Sequence, residues 1–242
     1  MKVTFDPIDA LIADLRRGRM VVVVDDADRE NEGDLVLAGQ HATAVAINFM
    51  ARYGRGLICV PTTAERLQQL GIERMVVSNR ETFRTDFQVS VDAAEGVSTG
   101  ISAADRARTI QVAIDPRSTP GDLVQPGHVF PLMARPGGVL ERTGQTAAGV
   151  DLCRLAGLIP AAVICEIMND DGTMSRMPDL IPYCRRHGLR MVTVADIIKY
   201  RRRTEVLVRR EAEAAMPTRY GTFRAVGYES LTDGAHHVAL VK

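Results

Sequence analysis

The sequence lacks an excess of charge of either sign. Among its 242 residues, 30 lysines and arginines balance 30 aspartates and glutamates, so the formal net charge is zero. Binding to nucleic-acid phosphates is driven by a basic excess, and the balance therefore argues against a protein that mainly coats nucleic acid. It leaves room for a local charged site.

Long apolar runs and paired cysteines are also missing. The longest apolar stretch near the N-terminus covers residues 20–24, which is far too short to cross a bilayer, and no secretory signal is visible. The four cysteines form neither a Cys-x-x-Cys pair nor the disulfide pattern of a small scaffold. We therefore expect free thiols in a cytoplasmic protein that has no membrane partner.

Short apolar segments of two periodicities predict the fold class. Strand and helix patterns alternate without a long run of either, which predicts an α+β fold: a three-layer arrangement with a mixed, twisted sheet covered by helices. The predicted strands cover residues 20–24, 35–38, 56–61, 87–93, 129–134, 161–167 and 191–194. The predicted helices cover residues 9–17, 44–53, 63–70, 102–111, 146–155 and 177–187.

A long, highly charged helix is predicted over residues 196–215, and strand-like pieces follow at 221–227 and 237–241. The basic part of this helix is interpreted as a solvated linker rather than a nucleic-acid surface, because long arginine stems also cover apolar surface. We expect no nucleic-acid partner.

An acidic turn follows the first predicted strand. Six carboxylates lie within the ten residues 25–34, and their mutual repulsion requires compensation by a divalent cation, by Arg29, or by both, unless the turn is simply solvated. Carboxylates without cysteine favour a hard ion such as Mg²⁺ or Mn²⁺ over zinc. The glycine and glutamate spacing of an EF-hand calcium loop is not met.

Several motifs resemble one enzyme family. Asp28-Arg29-Glu30-Asn31-Glu32-Gly33-Asp34 resembles the signature of 3,4-dihydroxy-2-butanone 4-phosphate synthase. The resemblance continues in order and at similar spacing through residues 96–106, 126–132, 137–140, 165–166 and 169–174, so that it covers roughly residues 7–202. Five such motifs in register, with residues 165–166 and 169–174 counted as one, imply that fold.

The resemblance also implies a reaction and a set of site residues. The family converts ribulose 5-phosphate to 3,4-dihydroxy-2-butanone 4-phosphate and formate with a divalent metal, typically Mg²⁺. Metal-bound oxygens polarise the carbonyl, and side-chain acids and bases move protons. The matching positions imply His128 and Glu166 as catalytic residues and Glu30 as a metal ligand. They imply contacts to the phosphosugar from Arg29, Glu30, Asp34, Arg142, Thr146 and Glu166.

Some of these residues also have a physical argument of their own. His128 follows Pro-Gly in a predicted loop before a strand, where we expect its side chain to be exposed. Glu166 lies in an apolar run, so it is either buried and functional with a raised pKa or points outward on an edge strand. Arg142 offers a forked donor for phosphate, and Thr146 begins a predicted helix. Thr99 and Ser102 lie at another helix start, where capping is an equal alternative.

One segment departs from the family pattern. The family sequence there is Arg-Gly-Gly-His-Thr-Glu, with the histidine as a metal ligand, whereas this chain has Gln145 and Ala147 at the last His and Glu positions. A glutamine carbonyl binds a hard ion, so Gln145 remains a candidate ligand, although it is neutral and exchanges no proton. The alternative function is a diverged paralog, either non-catalytic or altered in its substrate, that binds a phosphorylated sugar.

The last residues resemble a second family. Residues 217–223, 227–229 and 233–241 resemble the opening of GTP cyclohydrolase II, whose three zinc cysteines have no counterpart after Cys184. We therefore expect a synthase-like domain at 1–202, a charged helical linker at 203–216 and a truncated cyclohydrolase-like segment at 217–242, without cyclohydrolase activity. Family resemblance also implies a homodimer with sites near the subunit interface.

Overall fold

A computed structural model describes residues 5–26 and 28–242. The chain divides at Ile197 into two compact units. The helices are α1 (Ile8–Arg16), α2 (Ala44–Phe49), α3 (Ala64–Gln69), α4 (Ala103–Ile114), α5 (Gln145–Leu155), α6 (Met177–His187) and α7 (Val194–Thr204). The strands are β1 (Val21–Val24), β2 (Gly33–Ala38), β3 (Cys59–Thr62), β4 (Val91–Ala93), β5 (Leu123–Met133), β6 (Ala162–Glu166), β7 (Arg190–Thr193), β8 (Val208–Thr218), β9 (Gly221–Ser230) and β10 (His236–Val241).

A mixed sheet forms the centre of the first unit. Within the described residues it has seven strands in the order β4-β5-β3-β6-β2-β1-β7. The β1–β7 and β3–β5 pairs are parallel, whereas β1–β2, β2–β6, β3–β6 and β4–β5 are antiparallel. The predicted α+β class with a mixed sheet is therefore confirmed.

Helices cover both faces of this sheet, which explains why β1 is apolar throughout. All four valines of β1 are buried, as expected for a strand with no solvated face. On one face, Ile47 of α2, Ile110 of α4 and Leu180 of α6 join the core formed by the strands. On the other face α1 packs with α5, and Gly149 of α5 lies so close to Ala162 that a Cβ there would be 3.0 Å from its Cβ.

The register of three central strands brings distant residues to one end of the sheet. The strands β1 and β2 form an antiparallel hairpin, so the acidic turn lies where β2 begins. The strand β6 runs antiparallel to β2 and ends there, which pairs Asp34 with Glu166. Cys59 begins β3 and pairs with Ile164 of β6. One end of the sheet therefore carries side chains from four segments.

Several local predictions are confirmed. The helix at 177–187 has the predicted bounds and ends at Gly188 in a left-handed conformation. The Thr63 and Ser102 hydroxyls cap α3 and α4 by accepting from the amides of Arg66 and Asp105; for Ser102, the capping alternative is thus observed. All four cysteines are buried free thiols. No helix among the described residues has the length and apolarity needed to cross a membrane.

The prediction of a long charged helix at 196–215 is wrong, and so is the prediction that the linker at 203–216 is helical. The helix α7 ends at Thr204, and β8 pairs with β9 from Val208 to Thr218 in an antiparallel sheet of β8, β9 and β10. Alanine, glutamate and arginine favour a helix locally, but pairing across the following turn outweighs that preference. Arg209 adds an ion pair of 2.5 Å across the strands to Glu229. The domain boundaries themselves stay predictions.

Three further elements differ in extent. The helix predicted at 44–53 changes to a π-helical turn at Met50–Gly54, and the strand predicted at 87–93 is regular only in β4. The strand predicted at 129–134 begins earlier, at Leu123. His128 therefore lies within β5 rather than in a loop before it. The next residue, Val129, pairs with Val91 of β4, and the apolar pattern alone does not reveal this pairing.

Truncating the core should destabilise the first unit strongly. Leu35 of β2 is fully buried, and Leu35→Ala is expected to lower the free energy of unfolding by about 2–5 kcal/mol because it removes packed atoms and leaves a cavity. Urea unfolding followed by circular dichroism measures this change. Val45→Ala, at a side chain that is 79% exposed, is the control; equal effects for the two variants would contradict the core assignment.

Candidate functional site

A polar cavity of about 210 Å³ opens at the end of the sheet where β2 begins and β6 ends. Its walls come from the acidic turn, three strands, the start of α5 and the segment before β4. The lining residues are Arg29, Glu30, Glu32, Asp34, Cys59, Glu81, Thr85, Phe87, Leu132, Arg142, Gln145, Thr146, Ile164 and Glu166. Seven of the eight side chains predicted for the site are among them.

Arg29 compensates much of the charge of the acidic turn. Its guanidinium lies 2.5 Å from Oδ2 of Asp25 and 2.9 Å from Oε1 of Glu30. The same Asp25 oxygen accepts from the amide of Glu30 at 3.3 Å, which closes the turn. Of the interpretations open for this turn, compensation by arginine is present in the structure, while Asp26 and Asp28 are solvated.

A second arginine fixes the far side of the turn. Nη1 of Arg176 donates to the carbonyl oxygens of Glu30 and Asn31 at 2.6 and 2.5 Å. It also lies 3.8 Å from Oε1 of Glu32. The backbone of the turn is therefore held by side chains from two directions.

The cavity carries more negative charge from carboxylates than its arginines neutralise. Asp34 is only 3% exposed, and burial together with the charge of Glu166 raises the pKa of its carboxyl well above the usual range. Burial also raises the pKa values of Glu30 and Glu32, and Arg29 and Arg176 oppose these shifts. Such raised values are typical of groups that hold or transfer protons.

Glu166 is held by the main chain. It ends β6, an interior strand between β3 and β2, so the edge-strand alternative is wrong. Its Oε2 accepts from the amide of Leu57 at 2.8 Å. Gly56 permits this approach, because a Cβ there would lie 2.3 Å from the same oxygen. The carboxylate is thus oriented by a backbone donor rather than by a second side chain.

Cationic and polar groups from the start of α5 face the carboxylates. Gln145 and Thr146 are buried in its first turn, where backbone N–H groups attract anions. Nη2 of Arg142 donates to the carbonyl of Phe83 at 2.9 Å and to Oγ1 of Thr85 at 3.2 Å. Burial and the nearby charge of Arg29 lower the pKa of Arg142.

The sequence reasoning missed two parts of the cavity. Cys59 lies against the carboxylates, and burial and their charge raise the pKa of its thiol. Glu81 and Thr85 come from a stretch without a predicted element, residues 71–86, and Phe87 directly follows it at the start of the predicted strand 87–93. The length of this loop was the signal in the sequence that could have pointed to a binding role, because long loops without secondary structure often bind ligands.

His128 lies outside the cavity. Its Nδ1 is 2.7 Å from Oδ2 of Asp92, and its amide donates to Oδ1 at 2.9 Å. Gly100 lies directly over this pair with φ of +92°, and a Cβ there would be 2.1 Å from the Asp92 carboxylate. Leu132, which lines the cavity, is four residues further along β5, roughly 13 Å at the rise of a strand. The side chain of His128 is 42% exposed.

Comparison with known proteins decides the family. Residues 9–200 match the family model of 3,4-dihydroxy-2-butanone 4-phosphate synthase. The chain belongs to this synthase family. Residues 209–242 match the model of GTP cyclohydrolase II, over a stretch that overlaps the tail resemblance seen in the sequence.

Two relatives share 56% of the aligned residues with this chain. The 3,4-dihydroxy-2-butanone 4-phosphate synthase of Pseudomonas syringae pv. tomato is 56% identical over 237 residues, covering 98% of this chain and 64% of that protein. The riboflavin biosynthesis protein RibBA of Aquifex aeolicus is 56% identical over 98% of this chain and 59% of its own length. The chain thus spans somewhat less than two thirds of these curated relatives.

Solved structures of the synthase family share the fold. RibBX, a two-domain synthase from A. baumannii, superposes with a TM-score of 0.91 at 48% identity, covering 98% of this chain and 70% of that one. A 3,4-dihydroxy-2-butanone 4-phosphate synthase in complex with two magnesium ions has a TM-score of 0.80 at 42% identity, covering 83% of this chain and 98% of that one.

The residues that line this cavity fit a hard divalent ion only in part. Glu30 and Glu32 supply half-buried carboxylates, and Mg²⁺ is commonly held by one or two carboxylates with water and substrate oxygens. Gln145 fits poorly, because its Oε1 faces Nη1 of Arg29 at 3.4 Å. Within residues 5–26 and 28–242, no cluster of three histidine, cysteine, aspartate or glutamate side chains could enclose an ion.

Removing the charge of Asp34 should stabilise the fold. Because the pKa of Asp34 is higher in the folded state than in the unfolded state, its protonated carboxyl favours folding below the ordinary aspartate pKa. This contribution to the free energy of unfolding is lost as pH rises through the raised value. Asp34→Asn keeps the shape and removes this penalty, so its melting temperature at pH 8 in EDTA should exceed that of the wild type by roughly 2–4 °C. Thermal unfolding from pH 5 to 8 measures the difference.

The matched control for this experiment is Asp28→Asn, at an exposed carboxylate of the same turn. It should leave the melting temperature unchanged. A lower melting temperature for Asp34→Asn across the whole range would contradict the assigned burial penalty.

Proposed function

We propose that the chain converts D-ribulose 5-phosphate to L-3,4-dihydroxy-2-butanone 4-phosphate and formate, a step of riboflavin biosynthesis, with Mg²⁺ or Mn²⁺. One observation carries the proposal: three separated motifs, which provide Glu30 and Asp34, then Arg142 and Thr146, and finally Glu166, converge on one cavity. The names of the relatives support the same reaction. We further propose a cytoplasmic location.

Phosphate recognition follows from the cationic wall. Arg142 presents a half-buried guanidinium, and the first turn of α5 presents backbone N–H groups beside Thr146. A phosphate is a stronger acceptor than the neutral carbonyl of Phe83 that Arg142 now contacts. Binding would therefore replace that contact by an ion pair between Arg142 and the phosphate. The carbon chain of the sugar would then extend toward the carboxylates.

Proton transfer follows from the carboxylate wall. Enolisation beside the carbonyl needs a base near one carbon and an acid near the oxygen. Glu166, oriented by the Leu57 amide, is positioned as a base, while Asp34 has a raised pKa suited to holding a proton. Their pairing across β6 and β2 keeps the two groups adjacent.

A divalent ion would be held by the carboxylate of Glu30, with Glu32 nearby and substrate oxygens completing its coordination. When bound, it would polarise the carbonyl and stabilise the negative charge of the enediolate. Arg29 already neutralises part of Glu30, so we expect weak ion binding in the absence of substrate.

Formate release tests the proposal directly. Incubation with D-ribulose 5-phosphate and Mg²⁺ or Mn²⁺ should release one formate per sugar consumed, and EDTA should abolish it. Glu166→Gln should lower the rate by at least about 100-fold, because a general base of this kind contributes that much. Glu65→Gln, on the exposed side of α3, is the control. Absence of formate from the wild type at every metal concentration would refute the proposal.

His128 enters the site through a homodimer in this proposal. Its position on β5, outside the cavity of its own chain, agrees with a two-fold assembly in which the partner's His128 reaches the cavity. Asp92 would hold its ring in one orientation, as a carboxylate commonly does for a functional histidine.

Mixed dimers test this arrangement. His128→Asn and Glu166→Gln should each be inactive, but after subunit exchange the equimolar mixture should regain about a quarter of wild-type formate release, since half the dimers carry one intact site. The oligomeric state is checked by light scattering. A mixture as inactive as its components would contradict a shared site.

A second candidate is a paralog that binds a phosphorylated sugar without turnover. The neutral, buried Gln145 and Ala147 favour it. It predicts an increased melting temperature with D-ribulose 5-phosphate but no formate. We propose no GTP cyclohydrolase II activity for residues 209–242, which contain no cysteine.

A further inference from the structure

We propose that Gln145 binds the phosphosugar directly through its amide nitrogen and is not a ligand of the metal ion. The inference rests on the proposed function for the class of ligand, an acyclic sugar phosphate. It assigns to this position a hydrogen-bond donor that contacts a carbonyl, hydroxyl or phosphate oxygen.

The orientation of the Gln145 amide is set by Arg29. A guanidinium only donates hydrogen bonds, so the side-chain atom of Gln145 that faces it must be the oxygen. That oxygen, Oε1, accepts from Nη1 of Arg29 at 3.4 Å. Arg29 is itself restrained by Asp25 and Glu30, and its guanidinium carbon lies 4.9 Å above the ring of Phe83. Rotating the amide by 180° would place the NH₂ group of Gln145 against the N–H groups of Arg29, which are also donors.

The nitrogen of the same amide has no partner. Gln145 is 5% exposed, and its Nε2 is buried with no hydrogen-bond acceptor among the described residues. A buried, unsatisfied donor is costly, and native proteins rarely leave one without a ligand or water. Because Gln145 lines the cavity, a ligand oxygen that reaches Nε2 from that cavity would supply the acceptor it lacks.

The chemistry of Nε2 excludes coordination of a cation. An amide NH₂ carries two hydrogens and no available lone pair, whereas a histidine ring offers a lone pair to a metal. The one group of Gln145 that could bind a cation, Oε1, already faces the positive charge of Arg29. The position is therefore suited to an oxygen acceptor.

The test separates sugar binding from ion binding. Gln145→Met has a similar length and no hydrogen-bonding atoms. In metal-free buffer it should weaken binding of D-ribulose 5-phosphate, measured by calorimetry, about tenfold. Its Mn²⁺ dissociation constant without sugar, measured by electron paramagnetic resonance, should stay within about twofold of the wild type, because no ligand is lost.

Gln145→Glu is the second variant. It keeps the shape but replaces the NH₂ by a carboxylate oxygen, so it should weaken sugar binding at least as much while tightening Mn²⁺ binding. Gln68→Met, at an exposed glutamine of α3, is the control and should change neither constant. Circular dichroism and the melting temperature show whether each variant is folded. If one of the two Gln145 variants fails to fold, the binding constants of the other variant decide the test.

Two outcomes would overturn the inference: weaker Mn²⁺ binding by Gln145→Met, or unchanged sugar binding by either variant. Undetectable sugar binding by the wild type would overturn it as well. The reaction itself is tested separately, because a wild type that binds the sugar but releases no formate refutes the turnover and leaves the Gln145 contact measurable.

Discussion

The guanidinium of Arg29 is the contact on which the arrangement of the cavity depends. It bonds the carboxylates before and after it, Asp25 and Glu30, it faces the oxygen of Gln145, and it stacks on Phe83. One side chain thereby joins the acidic turn, the start of α5 and the long loop before β4. Without its positive charge, the carboxylates of the turn would repel one another at the end of a buried strand, where water screens them poorly.

The sheet supplies the second constraint. An antiparallel β1–β2 hairpin beside an antiparallel β6 brings Asp34 and Glu166 together although they are 132 positions apart in the sequence. Apolar strands with both faces covered tolerate no slip of register, because a shift by one residue would turn every side chain to the opposite layer. The packing of the core therefore sets the spacing of two acidic groups that contribute nothing to the core itself.

Much of this architecture could be predicted from the sequence, and the failures have identifiable causes. Continuous apolar runs such as Val21–Val24 and capped helices such as Met177–His187 are specified locally, and they were predicted to within about a residue. The segment Val208–Thr218 was misassigned because helix-favouring residues were drawn into a sheet by a partner strand. The motifs identified seven of the residues that line the cavity, but not the Leu57 amide or the stacking of Arg29 on Phe83, which depend on tertiary contacts. His128 was assigned by resemblance, and no local pattern reveals that it lies beside Asp92, outside the cavity.

The anchoring of Glu166 by a main-chain amide has a consequence for how such a site varies. Every residue except proline offers the same N–H at position 57, so the exposed side chain of Leu57 is free to change while the donor persists. Alanine scanning would pass over this contact entirely. The orientation of the carboxylate depends instead on the absence of a side chain at Gly56. The residue that the sequence must keep is therefore a glycine, one position before the residue whose amide makes the bond.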